Sequence, residues 1–168
     1  LESRAQVLPL VQKLVPAGSS VSHGGSETLK EVGVIDLLSG GDYQYINRAG
    51  LEGEALRQCY QDAFGCDAYF TSSNAITTDG VLYNVDGNSN RVACIVFGPR
   101  QVIMIVGRNK IVDTFDQAVE RVKRIAAPRN TQRLHCKTPC AATGHCISLD
   151  QENPAPVSYT HLTLPTTS

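Results

Sequence analysis

Residues 20–32, SVSHGGSETLKEV, decide the fold class. Their pattern predicts a short strand at residues 20–22, a turn at His23-Gly24-Gly25-Ser26 and then a helix, a succession typical of α/β proteins. Backbone N–H groups at such a helix start can bind carboxylate or phosphate, because glycine lets a ligand approach the backbone closely. A tight turn that serves only packing is an equally good interpretation, since the motif is neither GxGxxG nor a P-loop.

Segments of both kinds alternate along the rest of the chain. Apolar residues at helical spacing predict helices at residues 3–15, 34–38, 51–64 and 113–127, the last beginning at a Thr114–Gln117 capping box and ended by Pro128. Residues 90–97 could form a helix or a strand, and we favour the helix. Short strands are predicted at residues 43–46, 66–70, 81–83 and 101–106, the last one central in its sheet. The alternation predicts a three-layer α/β fold, with a parallel sheet, right-handed crossovers and helices on both faces.

Composition limits the class of protein. The chain has 168 residues, 42% of them hydrophobic, which suits one domain with one aliphatic core. With 15 Lys and Arg against 16 Asp and Glu, no overall attraction to nucleic acid or acidic membranes is expected. The longest uninterrupted apolar run, at residues 92–97, is too short to cross a membrane, so we expect no membrane span. The chain starts at Leu1 and its single methionine is Met104, so we expect a truncated N-terminus.

Residues 71–98, TSSNAITTDGVLYNVDGNSNRVACIVFG, carry the densest set of turn formers and small polar side chains. They follow the predicted strand at residues 66–70, and open α/β sheets place ligand-binding residues at the carboxyl ends of strands. We therefore predict a loop-borne site for a small anion. With the glycine turn, its candidate residues are Gly24, Gly25, Ser26, Thr28, Ser73, Asn74, Asp79, Asn84, Asp86, Arg91 and Lys110.

Each charged candidate also has a simpler interpretation. Asp79 and Asp86 could act as acid or base, but aspartate next to glycine is first of all a turn former. Arg91 and Lys110 could pair with a substrate carboxylate, or could only be solvated at a surface. Nucleophile-elbow, HExxH and P-loop motifs do not occur in the sequence, so no catalytic residue is identified.

Cysteines form two groups in the sequence. Cys136, Cys140 and Cys146, with His135 and His145 beside them, could hold zinc or an iron–sulfur cluster. Their spacing matches neither a zinc finger nor a ferredoxin motif, so reduced free thiols are the alternative. The other three, Cys59, Cys66 and Cys94, lie in apolar patterns and are predicted to be core residues. Without a visible secretory signal, six cysteines favour a cytoplasmic protein.

Three stretches together resemble the LUD domain family, found in lactate utilization proteins of the LutB and LutC kind. They are VSHGGSETLKEVGVIDLL, TSSNAITTDGVLYNVDGNSNRVACIVFGPRQVIMIVGRNKIV and KTPCAATGHC. The resemblance implies a fold similar to that of sugar-phosphate isomerases and CoA transferases. It also implies a role in oxidising lactate to pyruvate alongside iron–sulfur proteins. Fold-level similarity does not establish the reaction, so an isomerase or CoA-transferase-like enzyme and a non-catalytic binding or assembly module remain alternatives.

Residue by residue, the resemblance extends to both candidate regions. The matching positions are Gly24, Gly25, Ser26, Thr28 and Glu31 in the glycine turn, and Ser73, Asn74, Asp79, Gly80, Asn84, Asp86, Gly87, Asn90 and Arg91 in the central stretch. Ser89 stands where glycine is expected, and the family's further cysteines are not found after Cys146, which puts a metal site in doubt.

The C-terminus departs from this pattern. We expect an α/β domain at residues 1–148 and a disordered, non-native tail at residues 149–168. The final residues, VSYTHLTLPTTS, carry no charge and no helical period, and they resemble a translated sequencing-adapter read-through. His161 in this tail would then have no functional meaning.

Overall fold

A computed structural model describes residues 1–146 and the backbone of residues 160–164. Its helices are α1 (Val7–Leu14), α2 (Glu27–Glu31), α3 (Val34–Ser39), α4 (Gly53–Phe64), α5 (Asn90–Val96), α6 (Phe115–Arg121), α7 (Ala127–Arg133) and α8 (Pro139–Thr143). Its strands are β1 (Ser20–His23), β2 (Gln44–Tyr45), β3 (Ala68–Thr71), β4 (Ala75–Thr77), β5 (Leu82–Asp86), β6 (Gln101–Met104), β7 (Ile111–Val112) and β8 (Thr160–Leu164). Within residues 1–146 no helix is long and apolar enough to cross a membrane.

The chain divides into two compact units. The first unit contains residues 1–72 and 93–107, and the second contains residues 73–92 and the described residues from 108 onward.

In the first unit the strands form a parallel sheet in the order β2-β1-β3-β6. Val21 pairs with Tyr45 of β2 on one side and with Ala68 of β3 on the other. The predicted parallel α/β sheet is therefore confirmed. The prediction that residues 101–106 form a central strand was wrong. Among the described residues, β6 pairs with β3 and lies at an edge of the sheet. A β-branched run indicates a parallel strand but carries no information on which neighbours it will have.

Side chains of β3 alternate between two cores, which gives this unit three layers. Ala68 and Phe70 pack with buried residues of α1, α2 and α3, whereas Tyr69 packs with Ala63 of α4 and Cys94 of α5. Successive side chains of a strand point to opposite faces, so helices cover both faces of the sheet. This is the arrangement that the alternation of strands and helices predicted.

The second unit is built on a β-hairpin from the central stretch. Strands β4 and β5 pair antiparallel, with β7 parallel to β4 and β8 antiparallel to β5. Ala75 and Tyr83 of the hairpin pack against Ala118 and Val122 in a separate core. The stretch at residues 71–98, predicted to lie on loops, thus contains β4, a strand of three residues that is too short to show a period.

One further expectation is corrected in the second unit. Pro128 does not end the helix, because it stands in the first turn of α7, which follows α6 through a π-helical segment at Val122–Ala126. A π turn shifts the hydrogen-bond register of the helix. Proline is tolerated in the first turn that follows, because the N–H that it lacks would have had no partner within the helix. Residues 160–164 of the expected tail form β8, which pairs antiparallel with β5. The rest of residues 149–168 lies outside the described residues.

Candidate ligand-binding site

The first unit has a topological switch point between β1 and β3. From β1 the chain continues through α2 and α3 to β2 on one side, and these helices pack on one face of the sheet. From β3 the chain eventually continues through α5 to β6 on the other side, and Cys94 of α5 packs on the opposite face. Ligands of open α/β sheets bind in the crevice outside the carboxyl ends of strands that diverge in this way.

The predicted glycine turn lies at the carboxyl end of β1. The N–H of Gly24 donates to the Phe70 carbonyl of β3 (2.9 Å), so this amide ties the two strands together. Ser26 is the N-cap of α2, and its Oγ accepts from the Leu29 N–H (3.4 Å). Gly25 between them is exposed, and its N–H has no partner among the residues described. The Gly25 amide is therefore a donor that a ligand could use.

A histidine, a tyrosine and an arginine that sequence reasoning did not select lie at the carboxyl ends of β1 and β2. The ring of His23 lies 5.8 Å from the ring of Tyr45, at an angle of 30°. The Nδ1 of His23 is 2.8 Å from the Gly24 carbonyl oxygen. Ile46, which follows β2, donates its N–H to the Val21 carbonyl (2.8 Å) and brings the segment that carries Arg48 alongside β1.

Electrostatics links these side chains. Burial lowers the pKa of His23 below 6.5, the bond to Gly24 raises it, and the positive charge of Arg48 lowers it further. Burial raises the pKa of Tyr45, and the positive charge of Arg48 offsets part of this increase. At neutral pH His23 and Tyr45 are therefore uncharged, and Arg48 supplies the positive charge at this end of the sheet. The signal for His23 in the sequence was only positional, because His23 directly follows the strand predicted at residues 20–22.

In the second unit the central candidates form a buried network around Arg91. Its guanidinium donates to Asp86 Oδ1 (2.7 Å), to Asn84 Oδ1 (2.9 Å), and to both Asn74 Oδ1 (2.7 Å) and the Val85 carbonyl (3.0 Å). The side chains of Arg91 and Asp86 are only 11% and 9% exposed. Arg91 therefore binds a carboxylate as predicted for its type, but that carboxylate belongs to the protein itself.

Other central candidates also have partners within their own unit. Ser73 Oγ donates to the Ala75 carbonyl (2.7 Å), and Asp79 accepts from the Thr77 hydroxyl in the turn between β4 and β5. Lys110 is half-buried at the end of a 3-10 turn. Ser89, which stands where the family resemblance suggests glycine, has a φ of 60°, in the left-handed region that favours glycine.

The predicted metal site is not formed by the described residues. Within residues 1–146, no three His, Cys, Asp or Glu side chains lie close enough together to hold a metal ion. Cys140 is buried, and its Sγ lies 3.4 Å from the hydroxyl of Thr131 and 3.3 Å from that of Thr138. The arrangement of these residues does not fit zinc or an iron–sulfur cluster, and Cys136, Cys140 and Cys146 form no disulfide among the described residues.

Hydroxyls around Cys140 change the chemistry of its thiol. Burial raises its pKa, but the hydrogen bonds with Thr131 and Thr138, and those with backbone N–H groups, lower it more, so the pKa lies below 9.0. In the first unit, burial raises the pKa of Cys66 to about 11. The core positions predicted for Cys59, Cys66 and Cys94 are confirmed, since all three are buried.

The geometry defines an α/β protein with a candidate site at the carboxyl ends of parallel strands. The chain belongs to the LUD domain family, whose model matches residues 1–156. This confirms the family that the sequence motifs indicated. No curated protein matches the sequence.

Two solved structures are similar to this chain. Ribose 5-phosphate isomerase A from Neisseria gonorrhoeae is 14% identical, with 72% of this chain and 62% of the isomerase covered and a TM-score of 0.42. A DUF162 family protein from Deinococcus radiodurans is 15% identical, with 97% and 90% covered and a TM-score of 0.37. The chain thus spans less than two thirds of the isomerase. Because both scores are low, the α/β assignment rests on the sheet and helices described above.

Proposed function

We propose that this LUD domain protein binds a small carboxylate, or a related anion, at the carboxyl ends of β1 and β3. The observation that carries this proposal is the switch point between these two strands, where the chain leaves in opposite directions toward opposite faces of the sheet. Open α/β sheets bind their ligands at such points. The exposed amide of Gly25 offers a hydrogen bond to an anion, and Arg48 offers a positive charge in the same unit.

We propose further that the bound metabolite is the substrate or product of lactate oxidation, in a cytoplasmic system with iron–sulfur proteins as redox partners. Membership of the LUD domain family supports this role. Conversion of lactate to pyruvate releases two electrons and two protons, so an electron acceptor is required, and iron–sulfur partners would provide it.

Thermal-shift measurements with lactate, pyruvate, a sugar phosphate and CoA test the binding. We expect lactate or pyruvate to raise the Tm, and Gly25→Asp to abolish the rise, since a carboxylate at the turn repels an anion. Gln101→Glu is the matched control. It adds the same charge at the exposed first residue of β6, at the amino end of the strands, and we expect it to keep the ligand-induced rise.

Other outcomes separate the alternatives. Stabilisation by the sugar phosphate or CoA, but not by lactate or pyruvate, would favour an isomerase or CoA-transferase-like enzyme. No shift with any of these ligands, together with co-purification of a ferredoxin-like protein, would favour an assembly module and refute the binding proposal.

A further inference from the structure

The tautomer of His23 follows from its contact with Gly24. A backbone carbonyl oxygen only accepts hydrogen bonds, so the Nδ1 of His23, 2.8 Å away, must carry a proton. Burial and the charge of Arg48 both favour the neutral ring. A neutral imidazole with its proton on Nδ1 has a bare lone pair on Nε2. His23 therefore presents a hydrogen-bond acceptor, and not a donor, at the carboxyl end of β1.

The neighbouring cation complements this acceptor. Arg48 follows Ile46, whose N–H bonds to the Val21 carbonyl of β1 (2.8 Å), and its positive charge lowers the pKa values of His23, Tyr45 and Cys59. Its guanidinium has no ion-pair or hydrogen-bond partner within the part of the chain that the structure describes. A cation without a carboxylate beside an acceptor suits a ligand that carries a carboxylate and an O–H donor next to each other.

We propose that His23 and Arg48 select 2-hydroxy acids over 2-oxo acids, with Arg48 binding the carboxylate and Nε2 of His23 accepting a hydrogen bond from the 2-hydroxyl group. This inference rests on the proposed function and adds to it the residues that distinguish the two members of the redox pair. In a 2-hydroxy acid the two groups sit on adjacent carbons, which matches a cation and an acceptor in one cluster.

A 2-oxo acid lacks the proton that this site requires. Its carbonyl oxygen would face the lone pair of Nε2, which leaves a half-buried acceptor unpaired and places two lone pairs against each other. An unsatisfied polar group of this kind weakens binding by about tenfold to a hundredfold. We therefore expect lactate to bind at least tenfold more tightly than pyruvate at neutral pH.

Two substitutions at His23 separate the acceptor from the internal hydrogen bond. In His23→Asn the side-chain amide can still donate to the Gly24 carbonyl, but nothing replaces Nε2. In His23→Gln an amide oxygen can reach the position of Nε2. We expect His23→Asn to bind lactate more weakly and pyruvate as tightly as the wild type, so that the preference for lactate is lost. We expect His23→Gln to retain part of the preference for lactate. Arg48→Met should weaken both acids equally, because both carry the carboxylate.

Isothermal titration calorimetry of lactate and pyruvate on the wild type and these variants measures the ratio of the two Kd values. Nitrogen-15 NMR of the imidazole in the unliganded protein measures the tautomer independently of any ligand. Equal binding of the two acids by the wild type, an unchanged ratio in His23→Asn, or a proton on Nε2 would each overturn the inference and leave the proposed function standing. Binding of neither acid by the wild type would instead refute the proposed function, and this inference with it.

Discussion

Replacement of Arg91 by methionine should destabilise the protein severely. Methionine keeps most of the length of the side chain and removes the guanidinium, so Asp86 loses its ion-pair partner at 2.7 Å. The oxygen of Asn84 also loses its donor. Asp86 would keep the hydrogen bond from the Val92 N–H (2.8 Å), but its charge would stay buried without a cation.

The expected size of this effect follows from burial. Removal of one partner from a buried ion pair costs about 3–5 kcal/mol, because the remaining charge is desolvated without compensation. In a protein of this length that corresponds to a fall in Tm of about 6–20 °C. Arg124→Met is a matched control, since Arg124 pairs with Glu120 at 2.8 Å but the two side chains are 60% and 56% exposed. An exposed pair between neighbouring turns of a helix contributes only about 0.3–0.5 kcal/mol.

Urea unfolding followed by circular dichroism measures both variants under the same conditions. The double variant Asp86→Asn with Arg91→Met is a further test. Removing both charges should recover part of the free energy of unfolding that Arg91→Met alone loses. If Arg91→Met and Arg124→Met changed the free energy of unfolding by similar small amounts, the Arg91 network would not support the second unit. The guanidinium would then again be a candidate for external ligands.

Two further predictions concern the first unit. Gly98→Ala should cost about 2–4 kcal/mol, because Gly98 has a φ of 132° and a Cβ there would lie 2.7 Å from a ring carbon of Phe64 and 3.2 Å from its Cα. Gly50→Ala, at a φ of 75° in open space, should cost only about 1 kcal/mol in the same urea assay, and equal losses would contradict the steric argument. Hydrogen bonds from Ser20 lower the pKa of Asp67 below 3.8, so the stability that its carboxylate adds is complete above pH 3.8 and lost as the pH falls through the lowered value. Asp67→Asn should therefore be less stable than the wild type at pH 6, a difference that shrinks in acid denaturation below pH 3.8, and a pH-independent difference would be inconsistent with this linkage.

The sequence predicted the elements whose signal is local and repeated. Periodicity was sufficient for α4, because one buried face fixes the spacing of its apolar residues. A short apolar run was sufficient for β3, because this strand is buried on both faces. The neighbours of β6 are set by tertiary pairing, which periodicity does not encode. The continuation past Pro128 depends on a π turn that no residue pattern signals. Strand β4 is too short to show its period among turn formers.

The candidate site shows a different limit of sequence reasoning. Turn formers and amides in residues 71–98 indicated side chains that bind a ligand through hydrogen bonds, but the pattern cannot tell whether the partner is a ligand or the protein. In the structure, Ser73 and Arg91 donate to groups of their own unit. His23, by contrast, satisfies one ring nitrogen within the protein and keeps the other as an acceptor.

The free donors and acceptors therefore support our proposal of a ligand site at the carboxyl end of β1 and its neighbours β2 and β3, and not in the polar central stretch. A polar group that is already satisfied gains little from a ligand, since binding would only exchange one hydrogen bond for another. An acceptor held in place by an internal bond, beside a cation with no partner among the described residues, gains from a ligand that satisfies both. Residues at this end of the sheet can thus contribute affinity for a small anion, whereas the network around Arg91 contributes stability.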